Sequence, residues 1–124
     1  MKDLTVLMDL VVGRPAAMLE DAASEQVEIV AACLFPRLGG RVGHLAVDDG
    51  DVEKATSIVA RHGGVVVDER ECVVVSPSFP GGAAAASRAI ADADILVNIS
   101  YYGPSGDLVI GTPDVDATRA ALGL

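Results

Sequence analysis

Tryptophan is absent from this 124-residue chain, and the other large aromatics are two Phe and two Tyr. A core of stacked rings is therefore excluded, and Val, Ile, Leu and Ala must fill the interior. Two cysteines are too few for a disulfide framework; Cys33 and Cys72 lie inside apolar runs and read as buried free thiols of a reducing compartment. The nine Lys and Arg residues are scattered against eighteen Asp and Glu, giving a net charge of −9. Without a basic stripe the chain has no footprint for nucleic-acid phosphates. No apolar stretch reaches the ~18 uncharged residues of a membrane span, and the N-terminus shows no cleavable signal pattern. The expectation is a soluble, cytoplasmic protein that engages neither nucleic acid nor membrane.

Catalytic signatures are also missing. There is no Ser-His-Asp pattern, no glycine-rich phosphate loop ending in Lys and no histidine cluster, so no enzyme is expected, and no cofactor. Cys33 and His44 fall roughly opposite each other if the chain turns near Leu38-Gly39, but two ligands do not make a zinc site, and no metal is expected. On a rival enzyme reading, Asp9 and His44 are the only acid–base candidates.

With 51% hydrophobic and 22% charged residues, the chain reads as globular. Residues 4–12 form a Leu- and Val-rich strand. From Pro15 the apolar positions Met18, Leu19, Ala22 and Ala23 keep the spacing of a helix with one buried face. Residues 27–35 and 41–47 read as a hairpin around Pro36-Arg37-Leu38-Gly39-Gly40. A helix then opens at Asp51, with Val52, Ala55, Ile58 and Val59 inward, and ends near His62-Gly63-Gly64; residues 65–67 form a short strand. The order begins again: a strand over 71–75, a loop from Ser76 to Gly82, an Ala-rich helix over 83–93, strands over 95–102 and 108–110, and a helix from Thr112-Pro113-Asp114 to about Leu122.

The repeat also shows in single residues: Pro15 with Pro80, Ile29 with Ile95, Asp51-Val52-Glu53 with Asp114-Val115-Asp116. It divides the chain near Asp68, into domains 1–68 and 69–124, the second without an evident fourth strand. Strand, helix, hairpin, helix, strand is the split βαβ arrangement. The fold class is therefore α+β: two tandem ferredoxin-like βαββαβ units, antiparallel sheets with helices on one face.

The first helix of each unit has a poor cap, since Arg14 precedes Pro15 and Phe79 precedes Pro80. Its free N–H groups could take a carboxylate, while Asp48, Asp49 or Asp51 and Thr112 cover the second helices. Arg14 carries a fork of donors for such an anion, and Gly81-Gly82 would let a ligand approach the backbone. Alternation over 95–102 puts Ile95, Val97, Ile99 and Tyr101 on the helix-covered face, and Asn98 and Ser100 outward or lining a cleft. Each of these features has a plain alternative as a hydrated helix start, a solvated Arg, a turn, or a wet sheet face.

The order of elements, with Pro at the first strand-to-helix turn, resembles the ACT domain family over Leu4 to Gly63 and Glu71 to Leu122. The closer resemblance is to small bacterial proteins of two tandem ACT domains. The family's loop reads Asp-x-Pro-Gly; the matching residues are Gly13-Arg14-Pro15-Ala16 and Ser78-Phe79-Pro80-Gly81. Both keep Pro, only the second keeps Gly, and neither keeps Asp. Where the family's second strand often begins with Asn before Ile, Glu28 and Asp94 stand here. The resemblance implies a non-catalytic regulatory protein that binds a small ligand, an amino acid, where a first loop of one unit meets the other unit. Its ligand-binding residues would be Gly13, Arg14, Pro15, Ala16, Ser78, Phe79, Pro80, Gly81, Gly82, Asn98 and Ser100. It would work as a homodimer, or alternatively as a ligand-free regulatory subunit of a partner enzyme.

Overall fold

The computed structural model describes residues 1–124. The strands are β1 (Lys2–Met8), β2 (Ile29–Arg37), β3 (Gly40–Val47), β4 (Val65–Glu71), β5 (Val73–Val75), β6 (Ile99–Tyr102) and β7 (Leu108–Gly111); the helices are α1 (Arg14–Ser24), α2 (Val52–Arg61), α3 (Gly82–Asp92) and α4 (Val115–Leu122). They form two antiparallel sheets, ordered β2-β3-β1-β4 and β5-β7-β6. The first is a complete ferredoxin-like unit. The second repeats it with the fourth strand missing.

Alternation along each central strand explains the layers. Leu4, Val6 and Met8 of β1, with Leu45 and Val47 of β3, turn toward α1 and α2, where Met18, Ala22, Ala55, Ile58 and Val59 close the first core. In the second unit Val73, Val75, Leu108 and Ile110 meet Ala86, Ile90 and Leu122. The two sheets then pack through their other faces, joining Ala31 and Ala46 of the first to Tyr101 and Val109 of the second, with Cys72 between them. Back-to-back packing supplies the extra burial that units of this size need.

The structure corrects several sequence expectations. β1 stops at Met8, and Leu10, Val11 and Val12 are exposed, because the chain leaves the sheet to reach α1. β4 continues to Glu71 by pairing with β1, so the sheets meet at Cys72 rather than near Asp68. The strand expected over 95–102 is regular only over its last four residues. After α3, Asp94 is left-handed (φ 58°) and the Ile95 N–H returns to the Ile90 carbonyl, tucking Ile95 onto the second core. Gln26 and Val27 do the same after α1. This break inverts the expected faces: Ile99 and Tyr101 face the first sheet, while Ser100 pairs with Ile110 on the helix side of an edge strand that no helix covers.

Pro15 and Pro80 are not equivalent. The equivalent residues are Gly13 and Gly81, left-handed at φ 88° and 80°, each preceding the first residue of its helix. Only glycine adopts that conformation without strain. Pro15 is thus the second residue of α1, and Pro80 lies outside α3.

Candidate functional site

The loop from Asp9 to Gly13 leads into α1, whose start has no side-chain cap. The Arg14 N–H reaches the Val11 carbonyl at 3.5 Å, and Pro15 has no N–H to offer. The loop is held from β3, where Arg41 Nε donates to the Asp9 carbonyl at 2.8 Å and its Nη2 to the Val11 carbonyl at 3.2 Å. Asp9 Oδ1 accepts from the Val11 N–H at 3.1 Å, and Asp9 Oδ2 lies 3.4 Å from Arg14 Nη2. Arg14 Nε, shielded from solvent, has no partner. The loop therefore presents a carboxylate and a guanidinium side by side, both partly exposed.

Behind it lies a cavity of about 200 Å³ between α1 and the sheet. Its walls are mainly apolar, from Val6, Met8, Met18, Ala32, Leu34 and Leu45, with Pro15 and Leu19 on the helix and Cys33, Gly43 and His44 of the hairpin completing the lining. It opens beside β2, where Ala32 and Leu34 are exposed, because α1 covers the sheet centre and leaves this edge bare. Alternation along β2 could have suggested Ala32 and Leu34 as lining residues; the gap itself has no local sequence signal.

The second loop differs. Ser78, Pro80 and Gly81 are exposed, Gly82 begins α3, and the Ser76 and Ser78 hydroxyls bond each other at 2.8 Å. Phe79 turns inward onto the second core. Asn98 is exposed, with its N–H spent on the Gly111 carbonyl, and Ser100 is exposed on β6. The residues expected to form one ligand site thus separate into two loops and a strand edge. Of Gly13, Arg14, Pro15 and Ala16, which are contiguous in the chain, only Pro15 lines the cavity, and all polar links of the first loop stay within the first unit. The units meet through sheet faces rather than through these loops.

The expected caps of the second helices also change. No Asp side chain caps α2, which is entered through a 3-10 turn over Asp49–Asp51. Asp114, not Thr112, caps α4 by accepting from the Ala117 N–H at 2.9 Å. Thr112 instead bonds the fully buried Thr118 hydroxyl at 2.7 Å.

A second polar cluster joins the sheets. Asp3 is fully buried; its Oδ1 accepts from the Tyr101 hydroxyl at 2.7 Å, and His44 Nδ1 lies 3.2 Å from its Oδ2. Arg70 Nε is 3.8 Å from the same Oδ2. Burial, then the hydrogen bond to Asp3, pushes the Tyr101 hydroxyl pKa far up, so it remains a donor. Cys33 and His44 are register partners across the hairpin, as their spacing implied. Burial raises both thiols, Cys72 to about 11, which suits inert core residues rather than nucleophiles. Sequence reasoning missed this cluster, since a lone Asp in a strand reads as solvated. The available hint was alternation: Asp3 and Thr5 share one face of β1, and the hairpin register brings His44 onto that same face.

No protein-family model matches the chain, and no curated protein sequence matches it. Solved structures do. Protein BT0572 from Bacteroides thetaiotaomicron is 21% identical, with a TM-score of 0.74 over 98% of this chain and 85% of that one. The regulatory subunit of aspartate kinase from Thermus thermophilus, in a ligand-free form, is 15% identical, with a TM-score of 0.69 over 98% and 87%. Aspartate kinase from Clostridium acetobutylicum is 13% identical, with a TM-score of 0.57; the match covers 98% of this chain and 31% of that enzyme. The chain shares their fold: the same α+β arrangement occurs both as a separate subunit and as part of a larger enzyme. No helix of the chain is long and apolar enough to cross a membrane.

Proposed function

We propose that the chain is a non-catalytic regulatory module that binds a free amino acid in its first unit and transmits occupancy to a partner. The observation that carries this is the first loop: a paired Asp9 and Arg14, a helix start without a side-chain cap, and a mostly apolar cavity lined by the loop's chain neighbours Met8 and Pro15. A zwitterion matches the two charges, since a carboxylate is favoured by a guanidinium and a helix N-terminus, and an ammonium by a carboxylate. The fold shared with a kinase regulatory subunit supports a regulatory rather than a catalytic role. Fold alone does not assign function, so the site carries the argument. The module would work in the cytoplasm and form a homodimer. The bare β2 edge, with Phe35 exposed on the face turned away from Ala32 and Leu34, favours self-association.

A second reading, a ligand-free subunit that only docks on an enzyme, is favoured by the apolar tip. Val12 and Leu38 are 97% and 99% exposed there. A thermal-shift screen against the standard amino acids separates the two. A ligand at about 100 times its Kd adds ~2.7 kcal/mol, a melting shift on the order of 10 °C for a domain of this size. No shift with any amino acid, in protein shown to be free of carried-over ligand, would leave the docking subunit.

A further inference from the structure

The chain builds the same loop-and-helix corner twice and fills it differently. Counted back from the left-handed glycine at each helix start, Phe79 of the second unit occupies the position of Val11 in the first. Phe79 is partly buried and lies against the core of its own unit, as does Ala83. Val11 faces away and is 49% exposed, its carbonyl tied outward by Arg41. The first corner therefore lacks the side chain that plugs the second, and an apolar cavity of about 200 Å³ lies behind it.

We propose that this cavity is the specificity pocket of the first unit and takes the aliphatic side chain of an amino acid, of leucine or methionine size. The inference rests on the amino-acid-binding reading above and narrows it to one ligand class. Three features set the class. Apolar walls reject a charged or hydroxylated side chain, whose hydrogen bonds would be lost on entry. The volume is below the ~300–1,000 Å³ of drug-sized sites, so this open-mouthed pocket has room for one side chain rather than for a larger ligand. Met8 and Met18 are unbranched and polarisable, so the walls can close on side chains of slightly different shape. Asp9 and Arg14 do not line the cavity, and the Arg14 guanidinium rests beside Gly63, but they are the chain neighbours of its lining residues Met8 and Pro15, so their paired charges stand next to its rim for the zwitterionic end.

The test is calorimetric titration of the full chain with L-alanine, L-norvaline, L-leucine, L-methionine, L-threonine and L-lysine, repeated on Ala32→Phe and the milder Ala32→Leu. Ala32 lines the pocket from an exposed edge strand, so both variants fill it from the solvent side. Leucine and methionine should bind, with affinity rising roughly 10-fold per added methylene from alanine upward. Ala32→Phe should abolish that binding, and Ala32→Leu should weaken it while retaining the circular dichroism of the parent. Binding led by threonine or lysine and unchanged in Ala32→Leu would overturn this pocket while leaving amino-acid binding intact. No binding by any of the six would overturn this pocket, and the screen of all the standard amino acids would then decide whether amino-acid binding itself stands.

Discussion

Within the apolar contact between the two sheets one buried carboxylate, Asp3, accepts a hydrogen bond from the opposite sheet, and removing its donor has a calculable cost. Tyr101→Phe deletes the 2.7 Å hydrogen bond to Asp3 and leaves the ring in place. A hydrogen bond to a charged group contributes ~1.5–3 kcal/mol, so a loss of about 2 kcal/mol is expected. Asp3→Ala leaves the Tyr101 hydroxyl and His44 Nδ1 facing an empty space in a fully buried position; breaking a buried charged cluster costs ~3–5 kcal/mol. Against a total stability of roughly 6–18 kcal/mol at this chain length, that is a large fraction. The informative variant is the double. Once Asp3 is gone, Tyr101→Phe removes an unsatisfied donor, so it should cost close to nothing. A coupling of about 1.5 kcal/mol or more should appear in the double-mutant cycle, read by urea denaturation with far-ultraviolet circular dichroism. If Tyr101→Phe costs under ~0.5 kcal/mol and adds to Asp3→Ala without coupling, Asp3 does not join the sheets as described.

Two other outcomes follow from the same geometry. A Cβ at Gly103 would collide with the Val30 carbonyl oxygen where the second sheet crosses the first, so Gly103→Ala should cost ~1–3 kcal/mol by overpacking, measured as the urea midpoint at unchanged m-value. The Asp21 carboxyl is held below its ordinary 3.8 by the His62 hydrogen bond first and by Arg61 as well. A lowered folded value means a contribution that is complete above pH 3.8 and lost as pH falls through the lowered value. Asp21→Asn should therefore match the parent in strong acid and fall slightly below it near neutrality. Because the group is exposed, 1 M salt should shrink that gap; a gap that widens in acid would contradict the pairing.

Much of the first unit was legible in its residues. Met18 and Ala22 on one helix, and Ala55, Ile58 and Val59 on the next, keep helical spacing and are the residues that close the core. The hairpin turn at Leu38-Gly39 and the Cys33–His44 pairing followed from symmetry about that turn. The Pro15–Pro80 match misled because both prolines sit near a helix start, while the backbone constraint belongs to Gly13 and Gly81, which must be left-handed. The expected site residues do not converge: those of the first loop lie at the start of α1, whereas Asn98 and Ser100 are exposed at and just before the β6 edge of the second sheet.

The sequence by itself determined the element order, the repeat and the helix faces, because each depends on spacing within a dozen residues and on which side chains avoid water. Only the tertiary structure decided that the sheets pack back to back, that Tyr101 reaches Asp3 across 98 residues, and that Phe79 fills a corner which Val11 leaves open. An apolar strand residue is compatible with burial on either face. Which face is covered is set by a partner sheet that local pattern does not specify.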